Sequence, residues 1–131
     1  MNVIDASALI EVLLATAVGV RLRGRLFREE ETLHAPHLLD LEIVHVLRRL
    51  FLIRELQPDR AAQALAVLSG LRIVRHPHEP YISRIWQLRH RLTAYDAAYV
   101  ALAEALDSPL ITRDRRLASA PGHRARIEVI H

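Results

Sequence analysis

Short apolar runs alternate with longer amphipathic ones along the whole 131-residue chain. Asn2–Asp5, Thr32–Ala35, Leu71–Val74, Pro109–Thr112 and Ile127–Ile130 read as strands, rich in Val, Ile and Leu and bounded by proline, glycine or charge. Residues 6–15, 17–29, 37–54, 58–69, 79–91 and 94–107 carry helical periodicity, and 115–119 a short helical turn. Pro58 after Gln57 marks a helix start, and Gly70 its end. Strands that alternate with helices are joined by crossovers rather than hairpins, which predicts a parallel α/β sheet covered by helices on both faces. In such folds the ligand crevice lies beyond the carboxyl ends of the strands, where strand order reverses. The length suits one compact domain over residues 1–131, and 51% hydrophobic residues suffice for its core.

Four acids stand where an acid is costly. Asp5 closes the first strand and Asp114 follows the fourth. Glu42 shares a helix surface with Leu38, Leu39 and Val46, and Asp96 one with Tyr99, Val100 and Ala103. Each has a simpler reading. Asp5 or Ser7 caps a helix, Glu42 pairs with Arg49, Asp96 favours a helix N-terminus, and Asp114 caps a turn or pairs with the arginines beside it. Asp40 is the more solvent-facing acid of its helix, whereas Asp96, among alanines that allow close packing, is expected to be buried or nearly so. A helix dipole contributes about 1 kcal/mol, less than burying a carboxylate costs. Taken together, the simpler readings weaken. Two carboxylates about 4 Å apart repel by roughly 4 kcal/mol at an effective dielectric near 20, so a cation or shared protons must relieve them if they converge. Hard oxygen donors suit Mg²⁺ or Mn²⁺ rather than zinc, and such an ion activates water and offsets charge on a phosphoryl group.

All 18 Lys and Arg positions are arginine. The missing lysine excludes a P-loop and Schiff-base chemistry. It also counts against a haloacid-dehalogenase-like phosphatase, which wants Asp-x-Asp after the first strand where this chain has Asp5-Ala6-Ser7. Genome composition accounts for most of the arginine bias; a net charge of +3 permits a nucleic-acid partner without demanding one. With no cysteine, disulfides and thiolate metal sites are excluded. No signal peptide or membrane-length apolar run is read, and a cytoplasmic protein is expected.

Four segments resemble the motifs of PIN-domain ribonucleases, more narrowly the VapC-type toxins of bacterial toxin–antitoxin pairs. They are Val3-Ile4-Asp5-Ala6-Ser7-Ala8-Leu9, Leu41-Glu42-Ile43 with Leu47-Arg48-Arg49-Leu50, Tyr95-Asp96-Ala97-Ala98-Tyr99-Val100-Ala101-Leu102-Ala103, and Leu110-Ile111-Thr112-Arg113-Asp114-Arg115-Arg116-Leu117. Each is weak alone; four in order at fitting spacing are specific. The resemblance implies a three-layer α/β/α sandwich on a five-stranded parallel sheet in order 3-2-1-4-5. It implies Mg²⁺- or Mn²⁺-dependent RNA cleavage, with Asp5, Glu42, Asp96 and Asp114 as the catalytic and metal-holding quartet. Ser7 and Thr112 become the small hydroxyl residues that position water or an acid. A homodimer through residues 37–69 and a VapB-type antitoxin partner are implied as well. His45 departs from the residue common in relatives.

Arg113, Arg115 and Arg116 are candidates to grip RNA phosphates, with a solvated charge cluster equally in view; Arg21, Arg23, Arg25 and Arg28 read as a solvated helix face. His34-Ala35-Pro36-His37 and His76-Pro77-His78 read as loop histidines rather than a zinc site. Aromatic residues make up only 5% of the chain, so extensive base stacking is not indicated, and Trp86 is assigned to the core. Two rivals remain: a metal-dependent DNA nuclease or phosphoesterase, and a catalytically inactive PIN scaffold that binds RNA or protein.

Overall fold

The computed structural model describes residues 1–131. Five strands, β1 (Asn2–Ile4), β2 (Leu33–Pro36), β3 (Ile73–His76), β4 (Leu110–Thr112) and β5 (Ile127–Val129), form one parallel sheet in the order β3-β2-β1-β4-β5. That is the order the motif resemblance implies. The first strand in sequence is therefore central, and the order reverses on either side of it. Val3 and Ile4, with Leu110 and Ile111 beside them, are fully buried, as strands covered on both faces must be.

Seven α-helices cover the sheet: α1 (Ala6–Leu13), α2 (Ala17–Leu26), α3 (Leu38–Leu52), α4 (Pro58–Gly70), α5 (Ile82–Gln87), α6 (Ala94–Leu106) and α7 (Arg115–Ser119). One layer is built around α1, which packs on α2, α3 and α4; the other is α6 with α5, and α6 lies on β1, β2 and β4. The alanines and Val100 of α6 are buried from Ala97 to Ala103 and let it sit close to the sheet. Gly19 performs the same service for the α1–α2 corner. A Cβ there would stand 1.8 Å from the backbone oxygen of Glu11, so no other residue fits without moving a helix.

The helix expected over residues 79–91 is in fact broken. A 3₁₀ turn at Glu79–Tyr81 leads into the single-turn-and-a-half of α5, and the chain then unwinds through turn bonds such as Arg91 N to Leu88 O at 3.2 Å. Thr93 must be extended to cap α6, where its hydroxyl accepts from the Asp96 amide, and this ends the preceding helix early. Strand β3 begins two residues later than its apolar run suggests, because α4 continues through Gly70 and β3 aligns with Leu33–Pro36. With α5 so short, Ile85 and buried Leu88 take the inward positions, and Trp86 points out with 65% of its surface exposed. Its assignment to the core is thereby overturned.

Candidate metal centre

Beyond the carboxyl ends of β1 and β4, the two helical layers part to form a cleft of about 650 Å³. Asp5, Ser7, Glu42, Asp96 and Asp114 all line it, with Leu38, Leu41, Val46 and Tyr95 as an apolar wall and His45 among them. The four acids arrive from four separate elements: the β1 end, α3, the first turn of α6, and the loop after β4.

Asp5 is buried and held by three donors. Its Oδ1 accepts from the Ser7 hydroxyl at 2.7 Å and the Ala8 amide at 3.0 Å, and its Oδ2 from the Thr112 hydroxyl at 2.5 Å. Both hydroxyls are themselves fixed, because Ser7 accepts from the Arg113 amide at 2.9 Å and Thr112 from the Asp114 amide at 2.9 Å. Thr112 has no exposed surface and does not reach the cleft. Its role is to position Asp5 and the loop that carries Asp114, and Ser7 shares it. A carboxylate offers about four lone-pair sites, so Asp5 keeps one uncommitted. Burial raises the Asp5 carboxyl above the usual range despite the three donors, and Asp96 adds to the rise.

Glu42 does not meet Arg49. Its Oε1 accepts from the Tyr99 hydroxyl at 2.6 Å, across the gap between the two layers. Burial and then the neighbouring Asp96 and Asp5 push its carboxyl upward, against that hydrogen bond. Tyr99 also lines the cleft and is not among the residues the sequence singles out. The available signal was a tyrosine on the buried face of a helix one turn after Asp96, since a buried phenol needs an acceptor. Asp96 is half-buried rather than buried, and its helix is capped by Thr93, not by itself. Burial and then Asp114 raise its carboxyl, with Arg116 working in the opposite direction.

Asp114 differs from the other three. Arg116 grips it through Nε at 3.1 Å and Nη2 at 2.7 Å, and the Arg116 amide adds a bond at 2.9 Å. This bidentate partner holds the Asp114 carboxyl below the usual range. The other two arginines proposed for phosphate are also engaged: Arg113 pairs with Glu11 at 3.6 Å, and Arg115 reaches His131 at 3.3 Å. Asp40 is likewise not a simple solvent-facing acid, for Arg75 binds it at 2.7 and 2.9 Å.

The donor set fits a hard divalent cation. Asp5, Glu42 and Asp96 enter none of the chain's ion pairs, and each is raised by another acid of the cleft. No three of the side chains close into a compact ligand shell. An open arrangement of carboxylates suits Mg²⁺, which keeps several waters and takes one or two protein carboxylates. The histidine motifs are elsewhere. His34 and His76 belong to β2 and β3 rather than to turns, and their rings meet at 2.8 Å on neighbouring strands.

A PIN domain profile matches residues 3–122. Ribonuclease VapC1 of Mycobacterium tuberculosis is 48% identical over 130 residues, covering 98% of this chain and 96% of that protein. Ribonuclease VapC12 of the same organism is 42% identical over 131 residues, covering 99% of each. The crystal structure of VapBC2 from Rickettsia felis, bound to a promoter DNA fragment, superposes with a TM-score of 0.73 at 10% identity, covering 99% of this chain and 98% of that one. At that identity the match speaks for the fold.

Proposed function

Because the chain belongs to the PIN-domain family, among its VapC-type ribonucleases, we propose that it is an endoribonuclease toxin that hydrolyses RNA phosphodiester bonds with a divalent metal ion in the cleft. One observation carries the reading. Every other acid that is at least partly buried pairs with an arginine or the N-terminal ammonium, whereas the three that line a single cleft pair with none. Mg²⁺ or Mn²⁺ bound there would supply a nucleophilic water at neutral pH and offset charge on the phosphoryl oxygens.

The chain's own residues divide the remaining work. Asp5, at the end of the central strand, and Asp96, in the first turn of α6, are the residues that would hold the ion. Ser7 and Thr112 keep Asp5 in one rotamer, so the site is formed before the ion arrives. Tyr99 engages one oxygen of Glu42 and leaves the other uncommitted. Asp114 would join the set if Arg116 released it, and that exposed guanidinium would then be open to a substrate phosphate.

Two partners follow from the same premise. Val44, Phe51, Leu52 and Leu65 of α3 and α4 are exposed, Leu52 by 56%, beside a buried Leu47. This apolar surface is the face through which two copies form a homodimer. A VapB-type antitoxin covers the cleft, whose apolar wall of Leu38, Leu41, Val46 and Tyr95 offers it a docking strip. No helix is long and apolar enough to cross a membrane.

The test is a cleavage assay on matched RNA and DNA oligonucleotides with Mg²⁺, Mn²⁺ or EDTA, alongside calorimetric titration with Mn²⁺. RNA-selective, EDTA-sensitive cleavage that Asp96→Asn removes supports the reading. Undiminished metal-dependent cleavage by that variant overturns the site, DNA cleavage points to the rival nuclease, and failure to bind Mn²⁺ points to the inactive scaffold.

A further inference from the structure

Trp86 is exposed by 65%, and the guanidinium of Arg89 lies 4.4 Å from its ring centroid. The stack is fixed, because Arg89 Nη1 donates to the Trp86 carbonyl at 2.9 Å. Ile82, one turn earlier on α5, is exposed as well. Along the chain the segment is one-signed: residues 80–95 include Arg84, Arg89 and Arg91 and no acid, with Glu79 and Asp96 just outside its two ends. Of these cations only Arg84 has an acidic partner, Glu104. The segment then runs directly into the cleft, since Tyr95, exposed by 66%, is part of its wall. Tyr95 is nine positions after Trp86, so their Cα atoms lie within roughly 30 Å even along extended chain.

An exposed indole already stacked by arginine, with Arg89 and Arg91 exposed and without acidic partners, has the chemistry that unpaired nucleobases take. Bases stack on aromatic faces and on guanidinium planes alike, while free arginines neutralise the backbone. A protein partner would gain from Trp86 and Ile82 but would have to bury Arg89 and Arg91 against acids of its own. We propose that Trp86 and Arg89 form a base-stacking subsite for single-stranded RNA, with Arg91 on its backbone, which holds the substrate strand that enters the cleft past Tyr95. The proposal rests on the RNA reading above and adds a second contact point to it.

Trp86 is the only tryptophan, so its fluorescence reports the contact directly. The experiment titrates full-length Asp96→Asn protein, which spares the RNA, with a single-stranded RNA oligonucleotide, and follows intrinsic fluorescence and anisotropy of the labelled RNA together. Stacking predicts quenching that tracks the anisotropy, and none with duplex RNA. Trp86→Ala, at an exposed position, should weaken binding about tenfold, and in the otherwise native protein should raise KM with kcat little changed. Arg91→Gln should lower the slope of log affinity against log salt by about 0.7. Binding without quenching, or equal affinity of Trp86→Ala, overturns the subsite and leaves the ribonuclease reading standing. A change of oligomeric state in Trp86→Ala, seen by light scattering, assigns the face to protein contact and overturns it too. Absence of both RNA binding and cleavage would overturn the ribonuclease reading together with it.

Discussion

Two kinds of partly buried acid occupy this molecule, and the chain treats them in opposite ways. Glu104, on the outer side of α6, receives Arg84 through two bonds at 2.8 and 2.9 Å and the Arg124 amide at 2.7 Å. Glu128 is paired with Arg25, and Asp40 with Arg75. In Glu104 and Glu128 the partner guanidinium holds the carboxyl below its usual range. In the cleft, Asp5, Glu42 and Asp96 receive hydroxyl and amide donors but no arginine, and all three are raised, burial being the largest cause. Arginine is abundant, so the omission is selective. The first kind of acid closes the structure, and the second leaves negative charge that no arginine of the chain balances.

The largest test of that division is Asp96→Asn. It should reduce cleavage by more than the 10–100-fold typical of losing an outer partner of a metal ligand, while the metal-free protein melts at the same temperature or higher. A large loss of stability in EDTA would make Asp96 structural and erase the contrast. Glu104→Ala should do the reverse. It strands Arg84 and the Arg124 amide beside a side chain only 5% exposed, costing about 2–3 kcal/mol in urea unfolding with catalysis retained. Thr112→Val should lower Mn²⁺ affinity by roughly 10–100-fold, as expected when a ligand loses its positioning partner.

The pH dependence sharpens the contrast further. The raised carboxyls of Asp5, Glu42 and Asp96 bind protons more tightly folded than unfolded, so metal-free stability falls as pH rises from the ordinary carboxylate range through their folded values. The lowered carboxyls of Glu104 and Glu128 contribute stability above their ordinary values and lose it as pH falls through the folded ones. Unfolding midpoints between pH 3 and 8, with and without saturating Mg²⁺, should show the first limb removed by the ion and the second untouched. The smallest effect belongs to Asp40→Asn. That pair is about one-third exposed on each side, and its loss should cost less than about 1 kcal/mol.

How far each feature could be read from the chain follows from how local its cause is. Asp5 and Asp114 were legible because a strand end is a local pattern, and Pro58 and Gly70 marked α4 correctly for the same reason. The order of strands came only through the family resemblance, since periodicity is silent on which strands are neighbours. Tyr99 with Glu42 and Arg75 with Asp40 join residues 57 and 35 positions apart, and no local rule anticipates them. Trp86 was misplaced because its spacing to Ile82 and Ile85 fits a helix; the shortness of α5, imposed by the Thr93 cap, decided which of them turned inward. Arg116 was read for its charge, but its sequence position two residues after Asp114 is what lets it fold back onto that acid.

The bond from Thr112 to Asp5 spans 107 positions. Strand β1 is made first, yet its flanking strand β4 is among the last segments made. At ribosomal speeds of 5–20 residues per second, Asp5 waits roughly 5–20 s for the hydroxyl that fixes it. Until then Asp5 has its local donors, Ser7 and Ala8, and lacks the one that ties it to β4. A chain ending between Ala103 and Thr112 would carry every residue of the first three motifs and still lack the hydroxyl that joins Asp5 to the loop of Asp114.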